Sequence, residues 1–147
     1  MTTATHLKFI EWRNTAGLHE DAVQSISELN FLKDELKFLR NLMTEYTLNI
    51  IVEKAMADAA KINTDLGSYT YRVQQLLKDL KVHAAQLKVL LDEIDEPNEL
   101  QVYKGKHYKL MLDTLDLHLD VKKTKRKIFS LIVQLIKKEK QIKILNP

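Results

Sequence analysis

Residues 62–94 of this chain read INTDLGSYTYRVQQLLKDLKVHAAQLKVLLDEI. Within this stretch, core-type side chains recur at alternating spacings of four and three residues without a miss. The positions are Ile62, Leu66, Tyr69, Val73, Leu76, Leu80, His83, Leu87, Leu90 and Ile94. Such a repeat keeps one face of an α-helix against its neighbours along its whole length. The stretch therefore predicts a long helix packed lengthwise against other helices.

Two further ladders flank this one. The preceding ladder is Leu29, Leu32, Leu36, Leu39, Met43, Tyr46 and Ile50, and the following ladder is Tyr103, His107, Leu110, Thr114, Leu117, Val121, Thr124, Ile128, Leu131, Leu135 and Ile142. The phase changes between the first two ladders, where residues 63–68 concentrate turn-forming and helix-capping residues, so we predict a chain reversal there. A second reversal is predicted at 95–98, because Pro97 disfavours helix in the residue before it.

Short connections between long helices favour antiparallel neighbours. The predicted fold is all-α, an elongated antiparallel three-helix (up-down-up) coiled-coil bundle with a short additional N-terminal helix. Residues 1–147 form a single domain, and the helices are predicted at 3–14, 18–61, 68–95 and 98–145. The middle long helix is the shortest, so the outer two are expected to extend past it. No segment is then left to cover the apolar positions between 128 and 145.

The composition excludes several classes of site. Disulfides, thiolate metal centres and cysteine nucleophiles are excluded because the chain has no cysteine. Glycine-rich phosphate loops, serine elbows and other catalytic motifs are missing from the sequence. We therefore expect no enzymatic activity, no cofactor and no small-molecule substrate. The sequence also lacks a signal-peptide pattern and any apolar window of about 18 residues, which favours a cytoplasmic protein.

Basic residues concentrate in the last part of the sequence. The net charge is +3, yet residues 122–147 contain nine basic residues and one acid, Glu139, so the first 121 residues are net acidic. The basic residues are Lys122, Lys123, Lys125, Arg126, Lys127, Lys137, Lys138, Lys140 and Lys143. This asymmetry can mark an anion-binding surface for nucleic acid or an anionic membrane. Base stacking is poorly supported, because Phe129 is the only aromatic residue nearby.

Apolar residues outside the ladder seams indicate contact surfaces. Phe31 and Phe38 lie seven residues apart, away from the leucine seam of their helix, and either form a second face or cover a flank of the same core. The segment 128–136 is strongly amphipathic and either ends an ordinary buried helix or meets a partner helix. The residues that we predict to contact a partner are Phe31, Phe38, Ile132, Val133 and Ile136.

The histidines are the main candidates for chemistry. His83 and His107 occupy core positions. If the chain folds back at the second reversal, residues equally distant from it lie opposite each other, and this reflection brings the two histidines within about one helical turn of each other. Reflection through the first predicted reversal places Glu45 opposite His83. These three residues could bind zinc or a related metal inside the bundle. A polar layer that fixes helix register accounts for the histidines without a metal, and we favour that interpretation.

The sequence thus predicts a non-enzymatic interaction or scaffold protein. It would act through long helical surfaces, as a homodimer or together with another helical protein. Binding of nucleic acid or of an anionic membrane surface through the lysine-rich third long helix is the alternative. A metal-binding bundle that uses His83 and His107 is a more distant one.

Overall fold

The computed structural model describes residues 13–92 and 97–145, and nearly all of them are helical. The helices are α1 (Thr15–Glu45), α2 (Thr47–Val52), α3 (Met56–Leu91) and α4 (Pro97–Leu145). The short helix predicted at 3–14 falls almost entirely outside the described residues. Asn14, which was assigned to that helix, instead caps α1, because its side-chain oxygen accepts a hydrogen bond from the Gly17 amide at 2.8 Å.

The all-α prediction is confirmed for the described residues, which contain no strand and pack helix against helix. α3 and α4 run in opposite directions, since Tyr69 hydrogen-bonds Thr124 at 2.9 Å while the later residue His83 contacts the earlier residue His107 at 3.0 Å. Among the described helices, none is both long enough and apolar enough to cross a membrane.

α1 and α4 run in the same direction. The Ser25 hydroxyl lies 3.3 Å from the sulfur of Met111, and further along both helices the Lys125 ammonium lies 3.2 Å from the Glu35 carboxylate. α1 is therefore antiparallel to α3, which it contacts along most of its length. The three long helices share one core between them.

The core follows the ladders that the sequence predicts, except at Ile142 of the third ladder, which is exposed. The middle ladder is buried at every described position except Tyr69, which is half-buried, and Ile94 lies outside the described residues. Polar ladder positions are buried as well, including Thr114 and Thr124. Thr114 satisfies its hydroxyl by donating to the carbonyl of Leu110, one turn earlier.

The first chain reversal lies ten residues before its predicted place. Residues 63–68 are interior to α3, and the predicted helices at 18–61 and 68–95 are wrong at the boundaries they share. The chain turns instead at residues 53–55, where Lys54 has a φ of 55°. The Ala55 amide donates to the carbonyl of Ile50 at 2.9 Å and the Lys54 amide to that of Ile51 at 3.2 Å. This is a Schellman C-cap with lysine at the position that usually holds glycine.

The turn-forming residues at 63–68 are tolerated within the helix for a physical reason. The Thr64 hydroxyl donates to the carbonyl of Ala60 at 3.0 Å, so its hydrogen-bonding group is satisfied inside the helix. Gly67 has a helical φ and open space around its Cα. Ala55 and Ala59 continue the four-three spacing of the middle ladder back from Ile62, and both pack against the core.

The earlier reversal changes which segments are exposed. α1 and α3 are nearly matched in length, at 31 and 36 residues, so the predicted extension of the first long helix past the second does not occur. Contrary to the prediction, Ile128, Ile132 and Leu135 are buried. Only the last turns of α4, residues 137–145, are exposed at every position.

Two substitutions test the corrected reversal. We expect Gly67→Ala to raise the free energy of unfolding by about 1 kcal/mol, because alanine is the better helix former and its Cβ meets nothing within 4 Å. Lys54→Gly should also stabilise the protein by about 1 kcal/mol, because glycine adopts a positive φ without a steric penalty. Urea unfolding followed by circular dichroism measures both changes. Destabilisation by Gly67→Ala would return the reversal to residues 63–68.

Candidate functional site

A groove runs between α1 and α4 on one side of the bundle. It is a cleft of about 400 Å³, lined on α1 by Glu28, Phe31, Leu32 and Glu35 and on α4 by His118, Val121, Lys122, Lys125, Arg126 and Phe129. The Lys125–Glu35 ion pair joins the two helices across it. Phe31 is 73% exposed and Phe129 is 45% exposed, so both edges carry an aromatic ring in solvent. The groove therefore combines apolar edges with charges of both signs.

The residues predicted to contact a partner divide into two groups. Phe38 is 57% exposed one heptad beyond Phe31, and Val133 is 49% exposed one turn beyond Phe129 on α4. Ile136 is half-buried against the core. Ile132 is buried, so its side chain is not available at the surface, and the prediction that it contacts a partner is wrong. It faces the core because it continues the Ile128 and Leu135 stripe.

Three of the nine predicted anion-binding residues form ion pairs. The pairs are Lys125 with Glu35 at 3.2 Å, Lys138 with Glu53 at 3.6 Å and Lys143 with Glu139 at 3.5 Å. The other six are exposed and have no ion pair within the described part of the chain: Lys122, Lys123, Arg126, Lys127, Lys137 and Lys140. Positive charge thus runs along the outer side of α4 over several turns.

A second cleft lies at one end of the bundle, where α2 packs against the last turns of α4. It measures about 330 Å³ and is lined by Leu48, Asn49, Val52, Glu53, Leu135, Glu139, Ile142 and Lys143. The Asn49 amide donates to the Glu139 carboxylate at 3.2 Å, which holds the two helices together at this point. Large aliphatic side chains around the cleft are exposed to solvent.

A chain of buried polar groups joins all three long helices at the other end. The Arg13 guanidinium pairs with the Asp21 carboxylate at 2.9 Å, and the other oxygen of Asp21 lies 3.3 Å from Nε2 of His107. Nδ1 of His107 lies 3.0 Å from Nε2 of His83. Asp21 belongs to α1, His107 to α4 and His83 to α3. The contact between the two histidines agrees with the sequence-based reflection through the second reversal.

The Asp21 carboxylate places a proton on one nitrogen of His107. A carboxylate only accepts, so His107 donates from Nε2 to Asp21. Nδ1 of His107 and Nε2 of His83 share a hydrogen bond in which either nitrogen can be the donor. Nδ1 of His83 is buried without a hydrogen-bond partner. Burial, followed by repulsion from His107 and Lys106, lowers the pKa of His83 from 6.5 to about 4. His83 is therefore neutral at neutral pH.

Arg13, which pairs with Asp21, is held in place at Gly17. Its guanidinium also donates to the carbonyl of Gly17 at 3.0 Å. A Cβ at position 17 would lie 2.8 Å from the guanidinium carbon, so glycine leaves the space that lets Arg13 reach Asp21. Tyr103 flanks His83 on the α4 side, with a distance of 6.3 Å between ring centroids.

Of the three predicted metal ligands, His83 and His107 are in contact, but Glu45 lies far from them. Glu45 lies 24 residues after Asp21 on α1, about 36 Å away at the helical rise, so it cannot approach the histidines. This part of the prediction fails because it relied on the misplaced first reversal. Both nitrogens of His107 are already engaged in hydrogen bonds. Within the described residues, no group of three or more potential ligands is arranged to hold a metal ion.

Sequence reasoning missed Asp21 and Arg13. With the reversal placed at Lys54, reflection sets His83 opposite Ser25, one turn from Asp21. The available signal was the continuation of the first ladder back from Leu29 through Ser25, Ala22 and Leu18, all buried.

The lowered pKa of His83 predicts a loss of stability in acid. Between about pH 6.5 and pH 4 the unfolded chain protonates this histidine while the folded chain does not, so stability present above pH 6.5 is lost as the pH falls. The loss reaches about 3 kcal/mol near pH 4. His83→Gln keeps an amide that can hydrogen-bond His107 but cannot titrate. Lowering the pH should therefore reduce the unfolding free energy of the wild type more than that of the variant.

Urea unfolding at about pH 7 and about pH 4 measures this shift. His118→Gln serves as the control, because His118 lies in the groove, outside the contacts between Asp21, His107 and His83. The unfolding free energy of this control should fall in acid as that of the wild type does. Parallel pH profiles for wild type and His83→Gln would contradict the assignment.

Comparison with protein-family models, with curated proteins and with solved structures finds no match for this chain. A function must therefore be inferred from the surfaces and contacts of the molecule itself.

Proposed function

We propose that this chain is a non-enzymatic interaction protein that self-associates through the groove between α1 and α4. The observation that carries the proposal is the exposure of Phe31 and Phe38, at 73% and 57%, on one face of a helix. Large exposed aromatic residues that share a face are typical of protein contact surfaces. The interpretation in which they cover a flank of the core does not fit side chains this exposed.

The charges on the two edges of the groove favour a second copy as the partner. Glu28 and Glu35 lie on the α1 edge, and Lys122 and Arg126 lie on the α4 edge. A two-fold axis parallel to the helices brings α1 of one copy against α4 of the other, so each acidic edge meets a basic edge. A two-fold axis perpendicular to the helices brings each helix against itself and opposes like charges. The parallel dimer is therefore the arrangement that we propose.

The same arrangement places apolar groups together. The Glu35–Lys125 contact sets the relative level of α1 and α4, so Phe38 lies at about the level of Phe129. In a parallel dimer Phe38 of one copy therefore faces Phe129 of the other. Val133 lies one turn further along α4 and extends this apolar contact.

The proposal includes a cytoplasmic location. A different helical protein seated in the same groove is the other candidate partner. It would need an apolar stripe for Phe31 and Phe38, an acidic edge toward α4 and a basic edge toward α1.

Replacement of both phenylalanines tests the self-association. Phe31→Glu combined with Phe38→Glu removes two rings per copy that the dimer would bury, and it adds charge. The dimer should therefore weaken by about 100-fold or more. Sedimentation equilibrium over a range of protein concentrations measures the change. The matched control is Val82→Glu with Val89→Glu, since these exposed residues also lie one heptad apart, on α3.

The control should dimerise like the wild type. Circular dichroism melts show whether each variant is folded. A wild-type protein that remains monomeric at all concentrations, or a control as defective as the phenylalanine variant, would contradict the proposal.

A further inference from the structure

The end of the bundle where α2 meets the last turns of α4 is both apolar and exposed. We call it the apolar end, and its members are Leu48, Ile51, Val52, Met56, Ile142, Ile144 and Leu145. Each of these side chains is at least 46% exposed, and Leu48, Ile144 and Leu145 exceed 70%. They come from α2, from the first residue of α3 and from α4, and α2 contacts α4 through Asn49 and Glu139. The patch is thus a feature of the folded bundle.

Lysines surround the apolar end. Residues 46–56 and 137–145 contain five lysines and two glutamates. Both glutamates are occupied, since Glu53 pairs with Lys138 and Glu139 pairs with Lys143. The remaining lysines, Lys54, Lys137 and Lys140, are exposed and have no ion pair in the described residues. Within these two segments the unpaired charges are therefore all positive, while the exposed acids Glu45 and Asp58 flank the first segment.

We propose that the apolar end binds the surface of an anionic phospholipid bilayer. The aliphatic side chains of α2 and α4 enter the boundary between headgroups and acyl chains, and the free lysines contact the anionic headgroups. Lysine suits this position, because its methylene stem lies along apolar surface while its ammonium reaches the phosphates. This interaction is independent of the groove between α1 and α4.

The chemistry of the patch favours lipid over nucleic acid. Its exposed apolar members are aliphatic or methionine, and these cannot stack on bases as aromatic rings do. Duplex recognition uses phosphate contacts, to which Leu48 and Val52 would add nothing. A bilayer satisfies the apolar and the basic groups at once. Positive charge also continues along α4 through Lys122, Lys123, Arg126 and Lys127.

Vesicle co-sedimentation of the full chain tests the proposal, with phosphatidylcholine vesicles that contain or lack phosphatidylserine. We expect binding to the phosphatidylserine vesicles, little binding to phosphatidylcholine alone, and weaker binding as salt increases. Ile51→Ser with Val52→Ser should weaken binding by about 10-fold, because two side chains no longer insert. Lys137→Glu with Lys140→Glu should weaken it by about 25-fold or more.

Matched controls lie on α3. Val82→Ser with Val89→Ser removes two exposed valines, and Lys81→Glu with Lys88→Glu reverses two exposed lysines, so both variants should bind vesicles like the wild type. Phe31→Glu with Phe38→Glu should still bind phosphatidylserine vesicles in preference to phosphatidylcholine vesicles, although loss of the second contact in the dimer weakens the binding. That result separates this proposal from the self-association.

Three results would overturn the lipid assignment. One is an absence of binding to phosphatidylserine vesicles. Another is equal binding to both vesicle types, which would indicate apolar adhesion without headgroup recognition. The third is tighter binding to a DNA duplex than to vesicles, unchanged by Ile51→Ser with Val52→Ser, which would assign the lysines to nucleic acid.

Discussion

The alignment of the three long helices depends on the buried contact between Asp21, His107 and His83. Leucine ladders alone are degenerate, because a slip of seven residues returns apolar side chains to apolar positions. The polar chain removes this degeneracy, since a slipped helix would leave a carboxylate or an imidazole buried without a partner. Each long helix supplies one of the three side chains, so this single polar layer fixes the register of α1, α3 and α4 relative to one another. Arg13 completes the layer by neutralising Asp21.

The second constraint is the reversal at Lys54, which sets the lengths of the helices and therefore what is exposed. Because the chain turns there, α1 and α3 match in length, and the apolar residues of α4 as far as Leu135 are covered. The exposed apolar surface is confined to side chains that point away from the core and to the end where α2 packs on α4. A lysine in a left-handed conformation is a small cost compared with the core that forms on both sides of it.

The ladders made the helical class and the histidine contact predictable, because periodicity reports which face of a helix is buried. The first reversal was not predictable from turn-forming residues, because the Thr64 hydroxyl is satisfied within the helix and Gly67 adopts an ordinary helical conformation. The true reversal contains no glycine, proline or asparagine. The position of Glu45 was wrong for the same reason, whereas Asp21 could have been found by extending the first ladder through the small residues Ala22 and Ser25.

The two proposed surfaces reinforce each other geometrically. A dimer whose two-fold axis lies parallel to the helices points both copies in the same direction, so the two apolar ends lie at the same pole. One bilayer can then contact both ends, and the second contact forms at a high effective concentration once the first is made. An antiparallel dimer would place the apolar ends at opposite poles and lose this gain. In the proposed dimer, the pairing of Glu28 and Glu35 with Lys122 and Arg126 would therefore select the one orientation in which self-association strengthens binding to a membrane.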